Sequence, residues 1–374
     1  MRPRRADVQS IAGNPRPRDS GNRNLTGGAH YRGAAAPEGR LPAARLLCRD
    51  GQFRLYLEGL GMEQAFLLVA PVVGIALIGY FCTRFDYVSQ DTADGVARFA
   101  YNVVIPAVIF QTMVRSGWPE RWDNLFAILA SFYGAAALAM IAGILVARYV
   151  FHSSQGEQRA LGIGGSYGQV ALVGVAAVAL ILKSNLALPM LYIVALHGLV
   201  MSLLVALVGG IMSGRLDGLP DALGNAARKQ ARNPLLIAFV LGVALEALEV
   251  SLPGAVNTVI DTFADAALPV TLFGFGGMLA RYRISGSLQK PAAIAALKLV
   301  VHPAAAWLLV TNVFVPAYGA WVWMTVMLAA VPTTMGADGP TERGGGEAAG
   351  TAIALNALAG MVSLTALVYI ILAG

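Results

Sequence analysis

The chain has 374 residues, of which 57% are apolar and 13% charged, with a mean hydropathy of +0.63 and a net charge of +6. Soluble domains carry roughly 25% charged residues, so an ordinary soluble fold is excluded. Stretches 125–147, 160–182 and 186–214 contain no Asp, Glu, Lys or Arg. Each is as long as the roughly 20 residues a helix needs to cross hydrocarbon. A membrane barrel would alternate over about ten residues instead.

Residues 1–61 differ from the rest. They hold eleven Arg against five acidic residues, and the remainder is balanced at sixteen to sixteen, so this segment carries the whole net charge. It lacks the apolar core of a signal peptide. It reads either as a disordered basic arm that binds anionic lipid or nucleic acid, or as a stretch upstream of a start at Met62. The second reading is favoured. Cys48 and Cys82 fit no metal spacing and are given no role.

From Met62 the uncharged blocks predict ten spans: 64–82, 96–115, 124–147, 159–182, 187–213, 234–250, 260–280, 291–314, 319–341 and 349–372. The long block from Leu299 to Ala337 is divided at 315–319, where Pro316 and Gly319 mark a turn. Loops after odd spans hold twelve Lys and Arg, and those after even spans hold Arg115, Arg121 and Lys183. The positive-inside rule then puts the odd loops in the cytoplasm and both termini outside. A translocated tail with eleven Arg runs against the rule, which is the topological reason to favour a start at Met62. The expected organisation is a first five-helix repeat over 62–214, a cytoplasmic linker over 215–233, and a second repeat over 234–374.

An internal offset supports the division. Pro71 and Pro106 fall on Pro234 and Pro269 at a constant 163 residues, as do Gly79 on Gly242 and Phe110 on Phe273. An odd number of spans per repeat makes the second half enter the membrane from the opposite side. Transporters of this plan place their sites near the midplane, where broken helices of the two halves meet. Freed backbone groups there survive only beside protein or a water-filled cavity. The expected breaks are Pro106 and Pro269 in the second and seventh spans, Gly162, Gly164, Gly165, Gly168 and Gly174 in the fourth, and Pro332, Gly336, Gly339 and Pro340 in the ninth. The fold class is therefore an all-α polytopic membrane protein of two inverted five-helix repeats with crossing broken helices.

Several segments resemble the auxin efflux carrier family, which includes bacterial malonate and malate permeases and plant auxin carriers. Asn102-Val103-Val104-Ile105-Pro106-Ala107 is similar to its second-span motif. Gly168-Gln169-Val170 through Gly174-Val175-Ala176 is similar to its fourth-span motif, of the form G-N-T-x-x-x-G-I-P. Lys298-Leu299 through Pro303 is similar to the K-L-x-x-x-P of its eighth span, and Val331-Pro332-Thr333-Thr334 and Glu342-Arg343 also fit. Gln169 stands where Asn is usual. Ala176 replaces the usual Pro, which would leave the fourth span less sharply broken. The resemblance covers 62–374. It implies passage of an organic anion through a crossover of the fourth and ninth spans that moves past a scaffold, in a bacterial inner membrane, and it is compatible with a homodimer.

Polar groups near the breaks are the candidate site. Asn102, Pro106, Tyr167, Gln169, Pro269, Pro332 and Thr333 are expected to line the substrate path, with neutral polar groups and half-helix N-termini orienting a carboxylate. Inter-helix packing is the plainer account of the polar ones. Asp338 could carry a coupling proton or cation, or lie at the cytoplasmic mouth beside Glu342 and Arg343. Lys298 and His302 share a face one turn apart. Lys298 is expected to snorkel to the cytoplasmic edge and otherwise supplies positive charge for an anion. His302 is expected either to serve as a group titrating near neutral pH or, more plainly, to cap the Pro303 kink. His197 reads as a packing residue, and Asp261 with Asp265 as a solvated face.

The function expected is secondary transport of a small organic anion, such as malonate, malate or an auxin-like carboxylate, by alternating access. No cofactor or metal is expected beyond a proton or Na⁺ as coupling ion, and no nucleic-acid partner. A sodium- or proton-coupled symporter or antiporter of related fold is the alternative. An intramembrane enzyme is weaker, because Asp338 has no evident carboxylate partner and the sequence carries no recognisable Ser-His-Asp arrangement.

Overall fold

The computed structural model describes residues 62–116, 122–177, 187–214, 216–316, 319–333 and 346–373. Among these the secondary structure is helical, with one isolated bridge between Gly168 and Thr333. Seven helical stretches are long and apolar enough to cross a membrane: 66–84, 90–116, 122–149, 188–213, 254–279, 289–312 and 349–370.

The helices in chain order are α1 (Met62–Arg84), α2 (Gln90–Phe99), α3 (Ile105–Ser116), α4 (Trp122–Tyr149) and α5 (Gln155–Ser166). They continue as α6 (Ala187–Ser213), α7 (Leu219–Gln230), α8 (Pro234–Ala247), α9 (Gly254–Asp265) and α10 (Ala267–Leu279). The last are α11 (Gln289–Ala296), α12 (His302–Asn312), α13 (Gly319–Ala329) and α14 (Gly346–Ala373). Every expected span contains helix among its described residues. The stretch expected as a linker also holds one, α7, whose residues are all exposed or half-buried and which lies along α6.

Local chemistry sets the ends. Ser89 caps α2 by accepting from the Thr92 N–H at 3.2 Å. Ser154 and Glu157 form a reciprocal capping box on α5. Asn233 accepts from the Leu235 N–H at 2.9 Å, and Pro234 follows at the first turn of α8, where its missing N–H is no loss.

Three π turns, at 100–104, 170–174 and 297–301, interrupt spans in one register. In each, the N–H after the turn reaches back five residues: Ile105 to the Ala100 carbonyl, Val175 to Val170 and His302 to Leu297. The next residue is Pro106, Ala176 or Pro303. A proline in a regular helix removes a bond and presses its ring on the carbonyl four residues back; the widened turn relieves that clash. Pro106 therefore sits inside a continuing helix rather than at a sharp break. Pro269 follows the turn at Ala266 between α9 and α10, with an exposed side chain. The fourth span carries the same π turn with alanine at position 176 in place of a proline.

Packing follows the 163-residue offset. Helix α1 lies along α10, and α8 along α3. A Cβ on Gly79 would strike the Phe273 carbonyl, and one on Gly242 would lie 3.2 Å from the Phe110 carbonyl. These are the residues the offset equates. Helices α4 and α5 approach as closely, a Cβ on Gly143 falling 2.9 Å from Gly162 Cα, and α12 packs on α4 and α13.

The loops are tied by ion pairs. Arg281 bonds Asp94, and Lys290 bonds Glu157 at 2.5 Å. Arg115 bonds Asp261 at 2.7 Å, with Gln111 adding a bond to the same oxygen. Each pair joins segments expected on one side of the membrane. Asp261 is thus more than the solvated group its sequence context implies; it is a partner for two side chains of α3.

Candidate functional site: the crossover of two broken helices

The fourth span stops at Ser166, whose hydroxyl turns back to the Gly162 carbonyl at 2.8 Å. Tyr167 is extended, Gly168 forms an antiparallel bridge with Thr333, and helix resumes through the π turn 170–174 to Ala177. Opposite it, α13 ends at Ala329, and the chain turns at Ala330 and bends at Val331 before Pro332 and the bridge at Thr333. The Gln169 N–H donates to the Pro332 carbonyl at 2.9 Å, and the Thr333 hydroxyl donates to the Tyr167 carbonyl at 2.8 Å. Two interrupted spans thus satisfy each other's freed backbone groups, as a membrane interior demands.

Lys298 reaches this point from the π turn 297–301. It is fully buried, and its Nζ lies 2.9 Å from the Ala329 carbonyl and 3.5 Å from the Ser166 carbonyl. These are the last carbonyls of α13 and α5, the negative ends of two helices. The third contact is His302 Nδ1 at 2.8 Å. An ammonium has three N–H donors and no acceptor, so this environment accounts for all three. The expectation that Lys298 snorkels to an aqueous edge is corrected: two helix C-termini draw it inward.

Gly168 is required by the same contact. A Cβ there would lie 2.8 Å from Lys298 Nζ and 3.3 Å from the Val331 carbonyl. On the far side of the break, the first N–H groups of the resumed helix, at Val170, Ala171 and Leu172, precede its first internal bond from Val173 to Gln169. They give the crossover a helix N-terminus as well.

Aromatic rings wall the lysine on one side. Phe132 of α4 lies 5.6 Å from the His302 ring and 5.8 Å from the His197 ring, and Tyr167 stands edge-on to His197 at 4.9 Å. Tyr133 donates to the Ile193 carbonyl at 2.9 Å. The Gly168 backbone lies beside the buried His197 ring, yet neither ring nitrogen completes a hydrogen bond among the described residues. The reading of His197 as a packing residue misses that it shares a cluster with His302. No spacing signals this; only the spatial meeting of α6, α4 and α12 brings the two rings together.

Of the residues expected at the site, Tyr167, Gln169, Pro332, Thr333, Lys298 and His302 converge. Asn102 lies at the middle of the first π turn with its side chain exposed, and Pro106 is half-buried in α3. Pro269 is exposed on α10. Asp338, Gly336, Gly339 and Pro340 lie outside the described residues.

The chain matches the family described as "Membrane transport protein" over residues 64–219 and 221–359. It is also similar to a protein of Rhizobium meliloti (strain 1021) named "Putative malonate transporter", with 27% identity over 317 residues, covering 82% of this chain and 96% of that one.

Proposed function

The chain belongs to the membrane transport protein family, that of the auxin efflux carriers, and on that premise we propose that it is a secondary transporter for a small organic anion. The substrate class is a short carboxylate such as malonate, malate or an auxin-like acid. It crosses the inner membrane by alternating access, through ten spans in two inverted five-helix repeats with both termini periplasmic.

The carrying observation is the crossover, where Lys298 puts a buried cation at the meeting of two half-helices beside an open helix N-terminus. A positive centre with neutral polar neighbours, Gln169, Tyr167 and Thr333, is chemistry that attracts a carboxylate and orients it by hydrogen bonds. The reciprocal contacts of Gly79 with Phe273 and Gly242 with Phe110 support the inverted plan. The pairing of loop charges supports the assigned sides. The name of the Rhizobium relative supports malonate as the first substrate to try.

Protein reconstituted in liposomes is expected to accumulate radiolabelled malonate or a related carboxylate, with uptake measured under imposed pH and Na⁺ gradients. Failure of malonate, malate and indole-acetate alike to move under any gradient would sink this reading. Asp338, Lys298 and His302 are the coupling groups to test, with Asp338→Asn the first variant. An unchanged pH dependence in that variant removes Asp338 from the coupling role.

A further inference from the structure

Among the described residues, Lys298 is the one Lys, Arg, Asp or Glu side chain that is fully buried. Isolating such a charge from water costs several kcal/mol unless polar partners compensate. Its compensation has an uncommon source. No carboxylate lies within ion-pair distance among the described residues. The partners are the Ala329 and Ser166 carbonyls and His302 Nδ1.

We propose that the Lys298 ammonium is a built-in cation of the crossover, seated in a cage of helix-end carbonyls, so that this carrier balances its anionic substrate without a bound alkali metal ion. The proposal deepens the transport reading above, naming what occupies the cationic position of that same site.

Three features carry it. First, carbonyl oxygens at the ends of broken helices are hard ligands of the kind that hold metal cations, and here they face Nζ. Second, the third contact is an imidazole nitrogen. A hard cation prefers oxygen, whereas an ammonium donates equally well to Nδ1, so the set of three suits an amine. Third, the fit is close. A single carbon on Gly168 would fall 2.8 Å from Nζ and 3.0 Å from Cε, so the Gly168 backbone closes that side of the cage against the lysine end.

The titratable groups facing the ammonium are His302 from its own span, His197 from α6, and Tyr167 and Tyr133 around them. With His302 Nδ1 accepting, the His302 proton sits on Nε2, which has no partner among the described residues. On this proposal the cluster holds its one positive charge on Lys298, with His302 and His197 as uncharged neighbours.

The first test needs no knowledge of the substrate. Purified protein and Lys298→Ala are melted in detergent with choline, sodium, methylammonium or ethylammonium chloride at equal ionic strength. The wild type is expected to melt at one temperature in all four salts. Lys298→Ala is expected to melt lower in choline and to recover in ethylammonium, which refills the cage with an untethered amine. Stabilisation of the wild type by sodium over choline overturns the proposal, as does a Lys298→Ala protein that melts like wild type or gains from no alkylammonium. If that variant does not fold, the wild-type comparison alone decides. In liposomes, wild-type malonate uptake is expected to be equal with sodium or choline outside. Lys298→Ala is expected to lose about a hundredfold, the scale of removing one preorganised electrostatic group. Uptake that stops in choline refutes the built-in cation while leaving organic-anion transport standing.

Discussion

Replacing Gly168 by alanine places a methyl group against the Lys298 ammonium. The new Cβ would sit 2.8 Å from Nζ, 3.0 Å from Cε and 3.3 Å from the Val331 carbonyl. Ordinary carbon contacts begin near ~3.5 Å, so the ammonium must withdraw by several tenths of an ångström. On the surface a lysine end would swing away at little cost. Here Nζ is fully buried, with the Ala329 carbonyl at 2.9 Å and His302 at 2.8 Å. The 3.5 Å contact with Ser166 is already long and is the first to fail. Losing one hydrogen bond to a charged group costs about 1.5–3 kcal/mol, or roughly ten- to a hundredfold in an equilibrium. Gly168→Ala is therefore expected to melt lower in detergent and to take up malonate roughly ten- to a hundredfold more slowly. Gly95→Ala is the control. A Cβ there meets nothing within 4 Å, and alanine in the middle of α2 is worth about 0.5–1 kcal/mol of added stability. Wild-type melting and uptake in Gly168→Ala would refute the tight seating of the ammonium.

Thr333→Val removes the hydroxyl that donates to the Tyr167 carbonyl and is expected to cost about 1 kcal/mol by thermal melting, while Thr333→Ser keeps the bond and most of the stability. Ala176→Pro is expected to be tolerated and to stabilise by about 0.4–1 kcal/mol, since position 176 stands to its π turn as Pro106 and Pro303 stand to theirs; a collapse of expression would show that the shared register is incidental. Gly276→Ala drives a methyl group into the Ala76 carbonyl and is expected to cost at least about 1–3 kcal/mol by parting α1 from α10, whereas Gly74→Ala, in the interior of α1 with open space around it, is expected to melt no lower than wild type. The Lys290 ammonium beside Glu157, with the Ser154 N–H, holds the Glu157 carboxyl below its ordinary value. A depressed carboxylate contributes stability above its unfolded value, near about 4.3, and loses it as the pH falls through the folded one. Because both groups are partly solvated, screening keeps the contribution below about 1 kcal/mol. Glu157→Gln is expected to flatten the acid side of the melting profile, and high salt to flatten it in the wild type.

Much of this architecture is legible in sequence because bilayer physics is strict about length and charge. Each uncharged block contains helix among its described residues, and the 163-residue offset picks out Gly79, Gly242, Phe110 and Phe273, which meet in reciprocal pairs. Glycine clustering and Pro332 mark the two chains that cross at Gly168 and Thr333. What sequence misses are local deviations from 3.6 residues per turn. A mid-span proline reads as a kink, yet around Pro106 and Pro303 a π turn just upstream absorbs it. The ninth-span aspartate, Asp338, lies outside the described residues, and the Asp338→Asn variant is what decides between its two readings.

Lys298 shows the consequence of such a deviation. Counting from Pro291, near the start of its span, a lysine two turns in on a regular helix has a long, flexible stem and a nearby aqueous edge, and snorkelling is the natural expectation. The π turn 297–301 adds one residue to the turn that carries it, which rotates the residues beyond it by about 100° relative to a regular helix. The helix face counted from Pro291 is then no guide to the surroundings of His302 and the residues after it, including the ring that Lys298 meets. Lys298 and His302 are both fully buried, and they meet at the two carbonyls that the broken spans leave open. A sequence pattern reports where a helix can be bent. Whether the bend exposes or buries a charge depends on a second broken helix 31 residues away in sequence at Ala329, and pairwise geometry of that kind has no periodic signature.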